Sequence, residues 1–129
     1  MKNIFALSLL FITTFLSAQV NYIYSDGSSN TYNITETHIN YDPVTKENSS
    51  SGTYSGGEAK NKSITQKDFE KINLLFKEAF AAKAEQQADR AMMTGLLIHK
   101  KGKKTIQQVV IKPNSAYIGK IEALLKSLL

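Results

Sequence analysis

Between Ile64 and Phe80 the chain carries a helical signature strong enough to dictate what surrounds it. Phe69, Ile72, Leu75, Phe76, Ala79 and Phe80 recur at intervals of three and four residues, the spacing that gathers side chains on one face of an α-helix. Lys67, Glu70, Lys71, Lys77 and Glu78 fall mainly on the other side. Thr65 followed by Asp68 is a variant of the capping box, with Asp where Glu is usual, and Ile64 and Phe69 are placed as a hydrophobic staple. The spacing predicts a helix from about 66 to about 88 that frays into Ala-rich sequence. Burying each phenylalanine is worth roughly 1.5–3 kcal/mol, so the stripe reads as a core face rather than a ligand pocket. It needs a flat apolar partner.

The flanking sequence offers strands. Val20 to Ser25 alternates Val20, Tyr22 and Tyr24 with Asn21, Ile23 and Ser25, a period of two rich in aromatics. The turn-forming run Asp26-Gly27-Ser28-Ser29-Asn30 follows, and Thr31 to Tyr41 reads as a second strand. One of its faces carries Tyr32, Ile34, Glu36, His38 and Asn40, the other Asn33, Thr35, Thr37, Ile39 and Tyr41. Neither is cleanly apolar, which predicts a sheet covered on one side and wet on the other. Asp42-Pro43 ends that strand. Thr53-Tyr54 with part of 58–64 forms a third strand in this reading, with Gly56-Gly57 as a bulge or kink.

A second hairpin is expected from Met92–Lys101 and Lys103–Lys112, turning at Gly102. Pro113-Asn114-Ser115 stops it and offers a cap. A final helix over about 115–128 gathers Ile118, Ile121, Leu124, Leu125 and Leu128 on one side. The order β-β-β-α-β-β-α implies an α+β fold. We expect an antiparallel sheet of four or five strands with two helices packed on one face.

Residues 1–18 have the layout of a secretory signal peptide: Met1-Lys2, an apolar run from Ile4 to Leu16, and a small-residue cut at Ser17-Ala18. The apolar run is too short to span a bilayer comfortably. The expectation is export to a periplasmic or extracellular compartment and one small α+β domain over 19–129, soluble and monomeric. The chain has no cysteine, which excludes disulfides, thiolate metal sites, a thiol nucleophile and lipid attachment through cysteine. Lys2 is the one charge in the leader, so the formal charge of +5 falls to +4 without it. Much of the excess sits at Lys100, Lys101, Lys103 and Lys104 around Gly102. This tip reads as a solvated hairpin end, with an acidic or anionic ligand as the functional alternative. Nucleic acid is not expected, because the cluster lacks interleaved aromatics and Arg90 is the only arginine.

No catalytic constellation, cofactor motif or metal motif emerges. His38 and His99 lie in separate predicted hairpins, without metal-ligand spacing. Ser49–Ser51, His38 and Asp42 make a triad only on paper, with no nucleophile-elbow motif. Gly52, Gly56 and Gly57 lack the spacing of a dinucleotide fingerprint and the Gly-Lys-Ser/Thr ending of a phosphate loop. Asn33, Asn48 and Asn61 head glycosylation sequons, which matter only in a host that glycosylates exported proteins.

The stretch Ser49 to Gly57 is left over. Serine, glycine and tyrosine together are what adaptable contact loops use. The expected function is that of a small exported binding protein, an inhibitor or regulator of another exported protein. Its contact residues would be Tyr41, Ser50, Ser51, Tyr54 and Ser55 on a protruding loop over 42–58. The alternative is a small-ligand or anion-binding module that uses the sheet face or the lysine tip.

Overall fold

The computed structural model describes residues 19–129; the leader expected at 1–18 lies outside the described residues. The strands are β1 (Val20–Ser25), β2 (Thr31–Ile34), β3 (His38–Asp42) and β4 (Lys60–Ser63), then β5 (Gln86–Gln87), β6 (Gly95–Lys101) and β7 (Lys104–Ile111). Helix α1 (Gln66–Ala81) lies between β4 and β5, and α2 (Ala116–Ser127) ends the chain. The class is α+β, as expected. The sheet has seven strands rather than four or five, all antiparallel, in the order β4-β3-β2-β1-β6-β7-β5.

One extra strand comes from a change of phase. Read as one strand, residues 31–41 put Tyr32 and Ile34 on one face and Ile39 and Tyr41 on the other. The chain instead turns at Glu36-Thr37, with the Thr35 amide donating to the His38 carbonyl at 2.9 Å. Tyr32 then stands opposite Tyr41, and Ile34 opposite Ile39. Residues opposite each other across a ladder share a face, so the turn brings all four to the same side. Tyr32, Ile34 and Ile39 are buried there, whereas Asn33 and Asn40 face the open side.

A second extra strand follows from the early end of α1. The helix stops at Ala81 rather than near 88, and Lys83–Glu85 forms a 3₁₀ turn. The Gln86 side-chain Nε2 donates to the carbonyls of Ala79 and Phe80 at 2.8 and 3.0 Å. It supplies donors for helix-end carbonyls that lack intrahelical partners. Gln86 and Gln87 then pair with Ile111 and Val110 of β7. The third strand is shorter than expected: it is Lys60–Ser63 alone, and Thr53-Tyr54 belong to the preceding loop. This strand forms one edge of the sheet, and all four of its residues are exposed.

Both helices lie over the same face of the sheet. Tyr22 meets Phe76 of α1 edge to face at 4.9 Å, and the Tyr24 hydroxyl, two residues along the same face, donates to Glu122 of α2 at 3.4 Å. Rows of opposed residues run beneath them. One is Tyr41-Tyr32-Tyr24-Leu97-Val109; the next begins Ile39-Ile34-Tyr22-His99. Phe69, Ile72, Phe76, Ala79 and Phe80 of α1 join Ile121 and Leu125 of α2 in closing one core over these rows. Among the described residues, no helix is long and apolar enough to cross a membrane.

The capping box at Thr65 is present as read. The Asp68 amide donates to Thr65 Oγ1, and the Thr65 amide donates to Asp68 Oδ2, each at 3.1 Å. Thr65→Ala removes one of these bonds and should cost about 1 kcal/mol. Thermal unfolding is then expected to fall by roughly 4 °C, and an unchanged melting temperature would mean that the cap contributes nothing. The buried tyrosines set an alkaline limit. Burial is the largest cause that raises the Tyr24 and Tyr32 hydroxyls well above the ordinary 10.0, with nearby acidic groups adding. The folded state therefore keeps protons that the unfolded chain releases, and stability falls as pH rises above about 10. Phenolate absorbance from these residues should appear together with loss of the circular dichroism signal. Titration of every tyrosine near 10 with the fold intact would contradict this.

Candidate functional site

The loop over 42–58 is built onto the body of the protein by one buried residue. Asn30, only 3% exposed, follows the β1–β2 turn. Its side-chain nitrogen donates to Asp26 Oδ2 at 3.0 Å and to the Tyr54 hydroxyl at 2.9 Å. Its side-chain oxygen accepts from the Val44 amide at 2.9 Å. Both amide hydrogens and the oxygen are thereby used, and a buried side-chain amide is satisfied at small cost. The turn beneath it is held in turn by Asp26. That carboxylate accepts the Ser28 and Asn30 amides, both at 2.9 Å, in the Asx-turn manner.

Two further bonds close the loop at its base. The Gly56 amide donates to the Val44 carbonyl at 2.9 Å. The Tyr41 hydroxyl donates to the Gly56 carbonyl at 2.7 Å. Gly56 lies so near Asn30 that a Cβ there would stand 2.0 Å from Asn30 Oδ1, so only glycine fits without displacing the knot. Within the loop, Ser49, Ser51 and Thr53 form a chain of hydroxyls at 3.1 and 3.0 Å, and Ser49 Oγ also accepts the Tyr54 amide at 3.3 Å. The expected protruding finger is therefore corrected. The segment folds back on the β1–β2 turn, and Tyr54 is pinned through its hydroxyl with 39% of its surface exposed.

Between the turn and the loop runs a groove of about 330 Å³. The turn contributes Ser28 and Ser29, and Ser29 adopts a left-handed φ of 69°. The loop contributes Val44, Asn48, Ser49, Ser50, Ser51 and Tyr54. A third segment flanks the turn. Arg90 donates to the Asp26 carbonyl at 2.9 Å, to Ser25 Oγ at 3.2 Å and to the Thr94 carbonyl at 3.0 Å. It ties residues 88–94 to the same end of the sheet and leaves Met92 and Met93 at the surface, 88% and 61% exposed. Met93 also has a left-handed φ, of 64°, and its backbone abuts Gly27.

The residues expected to form a site separate into two groups. Ser50, Ser51 and Tyr54 line the groove. Tyr41 supports it from below, with its ring 4.9 Å from Tyr32. Ser55 is exposed and accepts only the Gly57 amide. The lysines lie elsewhere. Val20 pairs with Lys101, whereas Ser25 pairs with Leu96, so the lysine tip and the groove occupy opposite ends of β1 and β6. Lys100 is half-buried opposite Asn21, and Lys101, Lys103 and Lys104 are exposed. At about 3.3 Å per residue the two ends are roughly 15–20 Å apart, too far for one small-ligand site.

The paper triad is not assembled. His38 stands at the far end of β3 from the loop, bonded to Thr37 Oγ1 at 2.9 Å and near Ser63 Oγ at 3.5 Å. Among the described residues, no group of three or more His, Asp or Glu side chains gathers as a metal would require. His99 stacks on Tyr22 at 4.8 Å beside a shallow apolar cleft with Lys77 and Lys83 at its rim. Its Nε2 is buried without a partner. Burial, with Lys77 adding, holds the imidazole below its usual value.

Sequence reasoning missed Asp26, Asn30, Arg90, Met92 and Met93. The first two were read only as turn residues, though both can bond backbone groups through their side chains. The methionines were assigned to a strand that in fact begins at Gly95. No family model, curated protein or solved structure matches the chain.

The knot can be tested directly. Asn30→Ala leaves buried polar groups of Asp26 and Val44 without their partner, at about 1–3 kcal/mol each. We expect at least about 2 kcal/mol of lost stability in urea denaturation and new protease cleavage within 44–57. Tyr54→Phe removes one bond and should cost about 1 kcal/mol. Equal effects of the two variants would refute the central place given to Asn30.

Proposed function

We propose that the protein is a small exported binding module whose contact surface is the end of the sheet bearing Tyr54, Met92 and Met93, and that its partner is another exported protein. The observation that carries this reading is preorganisation. Three loops without regular secondary structure are fixed to one another by Asp26, Asn30 and Arg90. The surface they hold carries three of the exposed large hydrophobic side chains. Fixing the backbone that presents these side chains before binding lowers the entropy lost on association. Tyrosine supplies amphipathic contact area and methionine an adaptable one. Export is supported by the leader-like first 18 residues, and inhibition or regulation of the partner is the role that suits a small module of this kind.

The test uses the chain as bait against the native exported proteome, with wild type and variants side by side. Tyr54→Ala and Met92→Ser should each weaken capture of the same partner by at least about tenfold, as central contact residues do. Substituting Lys103 and Lys104 by Gln, at the other end of the sheet, should leave capture unchanged. The opposite pattern, in which the lysine variant alone loses the partner, would move the surface to the hairpin tip and refute the proposal.

A further inference from the structure

The lining of the groove specifies a ligand class, and this inference rests on the loop end being the binding surface. We infer that the groove between the β1–β2 turn and the 44–54 segment binds a neutral saccharide chain and seats one or two of its sugar rings. The first argument is charge. No carboxylate, ammonium or guanidinium is among the lining residues. A charged ligand group entering it would lose hydration without gaining a counter-charge, so anions and cations are disfavoured alike.

The second argument is hydrogen bonding. Ser28, Ser29, Ser50 and Ser51 present hydroxyls and Asn48 an amide. Each hydroxyl both donates and accepts, which suits a ligand whose own polar groups are mostly hydroxyls. An apolar ligand would find little to cover, since Val44 is the only aliphatic lining residue. The third argument is the ring of Tyr54. Aromatic rings pair an apolar face with a polar tip, and the face can pack against the C–H side of a sugar ring. Asn30 holds the tip at 2.9 Å, so the ring is oriented before the ligand arrives and its ordering cost is already met. The volume of about 330 Å³ is at the small end of the roughly 300–1,000 Å³ usual for ligand pockets.

The experiment is a titration of the purified mature chain with cellotriose, maltotriose, mannotriose, xylotriose and tri-galacturonate, followed by amide NMR shifts and calorimetry. A protein carrier bearing the best neutral glycan separates a free sugar from one displayed on a partner. At least one neutral trisaccharide should shift the amides of residues 48–51 and 54, with an affinity that does not change with salt. Tyr54→Ala should weaken it by about tenfold, and a double Ser28→Ala, Ser50→Ala variant, which spares the Asn30 knot and the Ser49–Ser51–Thr53 chain, should weaken it comparably. Three results would overturn the assignment: no shift with any neutral sugar, salt-sensitive preference for tri-galacturonate, or full binding by the Tyr54→Ala variant. Partner capture that depends on Tyr54 without any sugar binding would remove the saccharide and leave the binding surface standing. Sugar binding without partner capture would do the reverse.

Discussion

Four tyrosines share the inner face of this sheet with aliphatic residues, and three of their hydroxyls reach a helix or the long loop above. Tyr22 meets the side-chain oxygen of Asn73 on α1. Tyr24 meets Glu122 on α2, and Tyr41 meets the carbonyl of Gly56 in the long loop. A ring alone would tolerate sliding of the layer above it, because dispersion has no direction. A hydroxyl does not, because an unmet one buried costs more than a poorly packed methyl. The tyrosines therefore fix where the helices and the loop sit as well as filling space beneath them. Glu122 bears part of that arrangement: burial and the nearby Asp26 raise its carboxyl above the ordinary value.

The same logic continues outward from the tyrosine row to the groove. Asp26 and Asn30 are buried at 8% and 3% exposure, and their polar atoms are spent on backbone amides and on Tyr54. A chain with no disulfide and a modest core has few ways to immobilise a long irregular loop. Here a single asparagine ties the loop to the β1–β2 turn at both Val44 and Tyr54, and Tyr41 adds a second tie at Gly56. The loop remains polar and open to solvent, yet its one aromatic ring is tied at its hydroxyl to a buried side chain.

How much of this was legible depended on whether the signal was periodic. The α1 stripe, its Thr65 cap, a cap within Pro113-Asn114-Ser115, which falls on Ser115, and the hairpin turning at Gly102 all came from local spacing, and all are present. The strand count failed at Thr35–Thr37 because a strand is recognised by alternation, and alternation cannot reveal its own interruption. The clue was that Tyr32 with Ile34 and Ile39 with Tyr41 have opposite parity, a mismatch that one tight turn resolves. The end of α1 failed for a different reason. Alanine-rich sequence continues a helix by propensity, but tertiary bonding by Gln86 stops it. The loop residues Ser50, Ser51 and Tyr54 were singled out by composition, whereas Asn30 was invisible, since its partners lie 14 and 24 residues away.

An open sheet of this kind has two edges, and here they end differently. On one side stands Lys60-Asn61-Lys62-Ser63, four exposed residues with two ammonium groups. On the other is a strand of only two glutamines. A second molecule meets charge along the first edge, but on the second the two glutamines cover only Val110 and Ile111, and the outer row of β7 from Lys104 to Val109 stays open. The chain also folds without any oxidant, since it has no thiol to pair. Charge guards only one margin of the sheet, and the outer row of β7, with Ile106 at the surface, is the one open to a further strand.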